Sequence, residues 1–496
     1  MQLDETTEFQ LKVLVGALVL ALLLLAELPG LRRRRTRTWL YVLAGLLGIA
    51  VYSDFGSFHS GRYLKYHEMF HYFLGSKYFP ELGHDGLYVA SVAAQRQRDA
   101  AFPVKGVIRD LRTKRGISTQ AAEPHLREVV GRFEPARWAS FVEDHHFFVL
   151  RFHRFLAAAR KDHGYNPPPP WTFVGRLFSA RLPANLPVLS SLAALDVLLL
   201  AGLFHVVFRT YGPRVGSWSL AVFCLGYGWR FYYTGGAFLR MDWLAALAIG
   251  LCMLERRRPA IAGALFGYAA SVRVFPALLL LGPFVVALRH LVRGESTGWA
   301  LRLFGAFAAM VALAFVAGGL TGRGLAAWTE FAAAIALHRE TSPPNRVGLD
   351  NVLLNLPHML ANGLEDDVLP RLEPGELSAF SPARLAGKVA LLLLLAAAMW
   401  RSSPVRGAVL GMAANFVLTP LGCYYWAMLL ALPLAGATGP AQAVVALSVG
   451  LHAVHLAYAD PYLRFALLST GLAILLLLWI LPDALRTLAR GVRRHA

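Results

Sequence analysis

One run of this chain concentrates groups that can move protons or hold a metal: Tyr66-His-Glu-Met-Phe-His-Tyr-Phe-Leu-Gly-Ser-Lys-Tyr-Phe-Pro-Glu-Leu-Gly-His-Asp-Gly-Leu-Tyr88. It sets Glu68, Glu81 and Asp85 beside His67, His71 and His84, among aromatic side chains. Two chemistries suit these residue types. His67-Glu-Met-Phe-His71 matches the His-Glu-x-x-His spacing, in which two imidazoles one helical turn apart bind zinc and the glutamate is the base. No third ligand is evident in the spacing, although His59 and His84 are close in sequence. The other chemistry is centred on a carboxylate: Glu68, or Asp54 or Asp85, takes a proton from a hydroxyl. A purely structural role is open as well, with the histidines as hydrogen-bonded aromatics of an amphipathic helix at a membrane surface.

The rest of the chain must position this run, and it is mostly apolar. Of 496 residues 56% are hydrophobic and 16% charged, against about 25% charged in soluble domains. The mean hydropathy is +0.48. Repeated apolar stretches of spanning length predict an all-α polytopic membrane protein. The net charge of +19 resides mainly in short loops, where Lys and Arg set topology and meet anionic lipid, so no nucleic-acid partner is expected. Cys224, Cys252 and Cys423 lie far apart and predict neither disulfide nor thiolate site. No P-loop, Gly-x-Gly-x-x-Gly, coiled-coil heptad or internal repeat is found. The acidic N-terminus (Asp4, Glu5, Glu8) does not fit a secretory signal.

The expected organisation is two N-terminal spans over 1–53, a large extracytoplasmic loop over 54–186, spans over 187–320, a second outer loop over 321–385, and spans over 386–496. Individual spans are predicted near 11–28, 39–53, 187–208, 217–228, 241–254, 260–271, 275–288, 303–320, 388–400, 408–418, 424–434, 441–458 and 467–481, about thirteen in all. The charge asymmetry puts the N-terminus, Glu68, Arg160 and Asn345 outside, and Arg34, Arg257 and Arg493 inside. Residues 135–160 read as helix, and Asn166-Pro-Pro-Pro-Pro-Trp171 as an extended, non-helical approach to the membrane. Arg230, Arg240, Arg273 and Arg346 fall at outer loops or turns; an arginine there is a candidate anion ligand or a snorkelling side chain. Asp242 is expected to be the salt partner of Arg240.

In its layout the chain resembles the GT-C membrane glycosyltransferases, and among them family 87, the polyprenyl-phosphate-mannose-dependent enzymes. The family's first outer loop opens on an aspartate, with a tyrosine four or five residues on and a later Gly-x-x-Leu-Tyr. Here Glu68, Tyr72 and Gly83-His-Asp-Gly-Leu-Tyr88 follow that order. Glutamate for aspartate is a departure, which keeps Asp54 and Asp85 as alternatives for the base. Glu255 to Pro276 resembles the family's basic loop, Gly-containing span and Lys-x-Pro turn, with Arg273 in place of the lysine. Asn345-Arg-Val-Gly-Leu349 with Asn351 resembles its polar outer-loop motif, and Asn415-Phe-Val-Leu-Thr-Pro420 with Tyr424-Tyr-Trp426 its late turn. The likeness covers about half the chain; the extra N-terminal span and very long first loop depart from it.

The resemblance implies a GT-C-like bundle in a bacterial inner membrane, with the active site facing outward. It implies transfer of a mannose-like hexose or a pentose from a polyprenyl-phosphate donor to a lipid or glycan acceptor, without cofactor or metal. The candidate base is Glu68, Asp54 or Asp85. Candidate substrate ligands are His67, His71, Tyr72, Lys77, Tyr88, Arg230, Arg240, Arg273, Asn345 and Arg346. The alternatives are a membrane zinc protease built on His67, Glu68 and His71, and a non-enzymatic transporter or lipid-binding protein. A transporter should show matching halves with interrupted helices, and none are seen.

Overall fold

The computed structural model describes residues 3–31, 34–104, 106–339, 344–364 and 382–495. The described chain is nearly all helix. Its exceptions are two short antiparallel ladders, Val107–Arg109 with Gly116–Ser118 and Arg346–Val347 with Leu421–Gly422. The first helix, Glu5–Glu27, starts on Asp4, whose carboxylate accepts the Thr7 N–H at 3.0 Å. Glu5 and Glu8 in its first turn suit the positive end of the helix dipole.

Among the described residues six helices are long and apolar enough to cross a membrane: Glu5–Glu27, Leu186–Leu225, Phe275–Val292, Gly298–Gly319, Thr438–Ala457 and Pro461–Ala489. Large apolar side chains on them stay uncovered, among them Leu14, Leu198, Leu313, Val316 and Leu478. Such surfaces are costly in water and neutral in hydrocarbon, so their exposure fits a lipid-facing wall. The other apolar stretches form shorter or more polar helices, such as Arg34–Tyr52, Asp242–Glu255, Pro259–Arg273 and Pro404–Leu418.

The expected pair of spans over 187–208 and 217–228 is one helical run, Leu186–Leu225, broken at Gly212, whose φ is +80° ahead of Pro213. Glycine takes the left-handed backbone and proline restarts a helix without needing its missing N–H, so no loop intervenes. Within 321–385 the described residues hold two helices, Ala326–Arg339 and Leu349–Asn362, and the start of a third, Pro382–Met399; residues 340–343 and 365–381 lie outside the described residues.

Residues 54–186 fold into a lobe of short elements, with Pro135–Ala159 as its longest helix, where helix was expected. The proline run departs from expectation. A helix begins inside it, at Pro169, and carries Trp171. Prolines at the first helical positions cost no hydrogen bond, because those N–H groups have no partner in any helix. This helix, Pro169–Ser179, packs against Gly298–Gly319 and Pro259–Arg273, which fixes the lobe on the bundle. Elsewhere in the bundle backbones meet directly: a Cβ on Gly282 would lie 1.8 Å from the Gly407 carbonyl oxygen, so Leu281–Val292 can cross Pro404–Leu418 only with glycine there.

Candidate functional site

The run that opens at Tyr66 folds as a helical turn, Tyr66–Met69, then a wider π turn, Phe70–Leu74, and another α turn, Gly75–Lys77. Met69, Phe70, Phe73 and Leu74 are fully buried. The segment is therefore an internal element and not a half-exposed surface helix. π turns carry one extra residue and redirect the side chains around them.

Glu68 points at a loop from the bundle. That loop, between Phe231–Thr234 and Asp242–Glu255, is held by five backbone ties, one of them from His59 Nε2 to Gly235 O at 3.0 Å. Gly236 O accepts the Lys65 N–H at 2.9 Å. The Asp196 carboxylate accepts the N–H groups of Arg240 and Met241, each at 2.9 Å. The Trp171 indole donates to Leu239 O at 3.1 Å. Gly236 has φ +64°, and a Cβ there would stand 1.9 Å from Tyr63 O. Leu239, with φ +48°, is held in a backbone region that L-residues rarely occupy.

So anchored, Arg240 sends Nη1 to within 2.5 Å of Glu68 Oε2. Its guanidinium lies 4.3 Å from the Tyr424 ring centroid, and Nη1 is 3.5 Å from the Tyr72 hydroxyl. Lys65 Nζ is 3.4 Å from Glu68 Oε1. Burial pushes the Glu68 carboxyl up, but Arg240 and then Lys65 outweigh it and hold it at about 2. The carboxylate is ionised and engaged.

Arg273 ends its helix at a second strained turn, Val274 with φ +51°. It is buried, 5.8 Å from the Trp171 ring centroid, and its Nη1 donates to Val272 O at 2.8 Å. Its Nη2 is buried without a hydrogen-bond partner. A buried guanidinium nitrogen left unpaired is costly, and an anion would satisfy it. Asp242 is not the partner of Arg240: it accepts the Tyr268 hydroxyl at 2.9 Å and the Trp243 N–H at 2.7 Å. Glu68, 172 residues away in the chain, takes that place.

The late motifs reach the same region. Cys423 N–H donates to Asn345 O at 2.8 Å, and the Arg346–Val347 ladder ties the segment before the helix Leu349–Asn362 to the turn before Tyr424. Arg346 is buried within electrostatic reach of His163. Tyr425 packs on Phe275 at 4.7 Å and Trp243 at 5.7 Å between centroids, beside Arg273.

Other candidates lie elsewhere. Asp85 is held by Arg112 at 2.7 Å, His125 at 3.4 Å and Arg132 at 3.8 Å, a salt cluster of the lobe. Lys77 is a structural pin: Nζ meets Asp144 at 2.6 Å and Leu182 O at 2.7 Å, far along the helix from Glu68's contacts. Asp54 pairs with Lys12 at 2.6 Å. Arg230 is caged by the rings of Phe9, Tyr227, Tyr232 and Tyr233. Asp54 and Arg230 thus make their contacts in a second cluster around the first helix. Tyr88 binds His71 Nε2 at 2.8 Å.

His67 and His71 have their third neighbour in Asp162, not in His59 or His84. His59 binds Gly235 O and His84 binds Pro167 O. Among the described residues His67, His71 and Asp162 are the group whose ligand-capable atoms all lie within 4.8 Å of one another. Lys65, Asp162, Asp196 and Trp171 escaped the sequence reading. A carboxylate inside an apolar stretch was a usable signal for Asp196; nothing local marked the other three. Compared with protein-family models, curated proteins and solved structures, the chain finds no significant match.

Proposed function

We propose that this chain is an inverting membrane glycosyltransferase of the GT-C type, resembling family 87. It would transfer a mannose-like hexose or a pentose from a polyprenyl-phosphate donor to a hydroxyl of a lipid or glycan acceptor. The proposal includes a bundle of about thirteen spans in a bacterial inner membrane, with Glu68 at the outer face. The observation that carries it is a buried carboxylate, Glu68, paired with buried Arg240 and partly buried Lys65, together with a second buried arginine, Arg273, that lies within electrostatic reach of Arg240 and Tyr72 and whose Nη2 has no hydrogen-bond partner.

The chemistry follows from that arrangement. The donor phosphate takes hydrogen bonds from Arg273 and Arg240. Arg240 is thereby drawn from Glu68, whose carboxylate becomes a stronger base. Glu68 accepts the acceptor's hydroxyl proton, and the oxygen attacks the anomeric carbon from the side opposite the phosphate. The anomeric C–O bond breaks, and the electron pair leaves on polyprenyl phosphate, whose charge the arginines hold. The zinc-protease alternative needs Glu68 free to serve a zinc-bound water, yet that carboxylate is committed to Arg240 and Lys65.

The test is sugar transfer by the reconstituted chain from polyprenyl-phosphate-mannose. A positioned base contributes about 10²–10⁴-fold, so Glu68→Gln should lose turnover by roughly that factor. Asp54→Asn and Asp85→Asn should stay close to wild type. Near-normal transfer by Glu68→Gln would end the assignment.

A further inference from the structure

We infer that His67, His71 and Asp162 form a binding site for a divalent transition-metal ion of the zinc class, beside Glu68 and independent of the glycosyl-transfer reading. The ligand types are right for it: two imidazoles and a carboxylate suit zinc and its neighbours, while magnesium and calcium prefer all-oxygen sites. The three come from two elements. His67 and His71 are one turn apart on the Tyr66–Leu74 segment, with ring centroids 4.6 Å apart. Asp162 follows the helix Pro135–Ala159 and brings its Oδ2 to 3.4 Å from His67 Nε2.

That distance is what a metal would impose. Two ligand atoms each about 2.0–2.1 Å from a tetrahedral ion stand roughly 3.3–3.4 Å apart. The remaining atoms, within 4.8 Å of one another, need to close by at most about 1.5 Å to reach that tetrahedral spacing, within reach of side-chain rotation. Three protein ligands would leave one position for water or an exogenous ligand.

The hydrogen bonds around His71 already orient it. Its Nδ1 lies 2.7 Å from the His67 carbonyl oxygen. A carbonyl can only accept, so Nδ1 carries the hydrogen, and in the neutral ring the lone pair sits on Nε2. This is the outer-sphere bond that ordinarily fixes the tautomer of a metal-binding histidine. Nε2 faces the Tyr88 hydroxyl at 2.8 Å, which donates to that lone pair. A bound metal must take the same lone pair, so Tyr88 is a competitor for the site. Glu68 is turned to Arg240 and is not one of the ligands. A metal here would clip the loop after Ala159 to the segment that carries Glu68, closing a long stretch of chain at one point.

The experiment is Co²⁺ and Zn²⁺ binding to the full chain in lipid nanodiscs, after chelator treatment. Co²⁺ is read by its visible ligand-field absorption and Zn²⁺ by competition with a chromophoric chelator. The expected result is one ion per chain, with affinity weakened at least tenfold in His67→Gln, His71→Gln and Asp162→Asn. Melting of each metal-free variant near the wild-type temperature keeps the comparison valid, and a variant that fails this is replaced by the Ala form. Tyr88→Phe should bind more tightly, because the competing hydroxyl is gone. A merely structural Tyr88 would not produce that gain. Glu68→Gln should bind as wild type does. Absence of saturable one-to-one binding, or full affinity in Asp162→Asn, overturns the site. Loss of binding in a Glu68→Gln chain that still melts cooperatively above the assay temperature overturns the ligand assignment.

Discussion

Glu68→Gln should make the ligand-free protein less stable and at the same time tighten its grip on a lipid phosphate. In the ligand-free chain Arg240 and Glu68 are a buried pair at 2.5 Å. Removing the charge from one partner leaves the other uncompensated, at about 3–5 kcal/mol for buried pairs; the Tyr424 ring at 4.3 Å and the amide oxygen of glutamine place the expected loss at the lower end. A phosphate reaching Arg240 must displace the Glu68 carboxylate. A hydrogen bond to a charged group is worth about 1.5–3 kcal/mol and a neutral one about 1 kcal/mol, so the glutamine competes less by roughly 1–2 kcal/mol. At about 1.4 kcal/mol per tenfold, the affinity for the phosphate rises roughly five- to thirtyfold. The assay is calorimetric titration of a short-chain polyprenyl phosphate, without sugar, into the chain in nanodiscs, with thermal melting at each lipid concentration. Arg240→Gln is the converse and should weaken binding. Unchanged or weaker binding by Glu68→Gln would refute the idea that Arg240 is shared between the carboxylate and the phosphate.

Two further outcomes follow from the lobe and the loop. Hydrogen bonds from Arg112 and Arg132 hold the Glu128 carboxyl at about 2, below its ordinary 4.5, and Asp85 is lowered too, because His125 and Arg112 outweigh its burial. Carboxyls lowered by folding stabilise the native state fully above their unfolded values and lose that contribution as pH falls through their folded ones. Amide protection of Glu123–Val130, corrected for intrinsic exchange, should therefore decline between about pH 4.5 and 2, and a flat profile there would disprove it. Gly236→Ala should lower the melting temperature and cut transfer at least tenfold, since its positive φ costs about 1–3 kcal/mol and the new Cβ meets Tyr63 O at 1.9 Å. Gly30→Ala, with nothing within 4 Å, is the control and should behave as wild type.

The sequence by itself determined the class of this protein. Apolar length and loop charge are local properties, and a helix satisfies its backbone within its own segment, so the helical elements were legible before any packing was known. It also marked Glu68, His67 and His71, because their types and spacing sit together in one run. In the proline run the residues up to Pro168 are extended as expected, but a helix opens at Pro169, because proline is excluded from helix interiors and not from a first turn.

Only the tertiary structure decided which marked residues share a site. Asp54, Asp85 and Glu68 look alike in sequence, yet Lys12 takes the first, Arg112, His125 and Arg132 take the second, and Arg240 and Lys65 face the third. Asp162 meets His67 from 95 positions along the chain, counting 67 to 162, and Arg240 meets Glu68 from 172. Arg240 was marked as a candidate but Asp162 was not, and in neither case does anything local to the residue name its partner. Their pairing depends on how the lobe lies on the bundle, which is set by Trp171 and Asp196 gripping one loop, and a buried charge takes whichever opposite charge that packing presents.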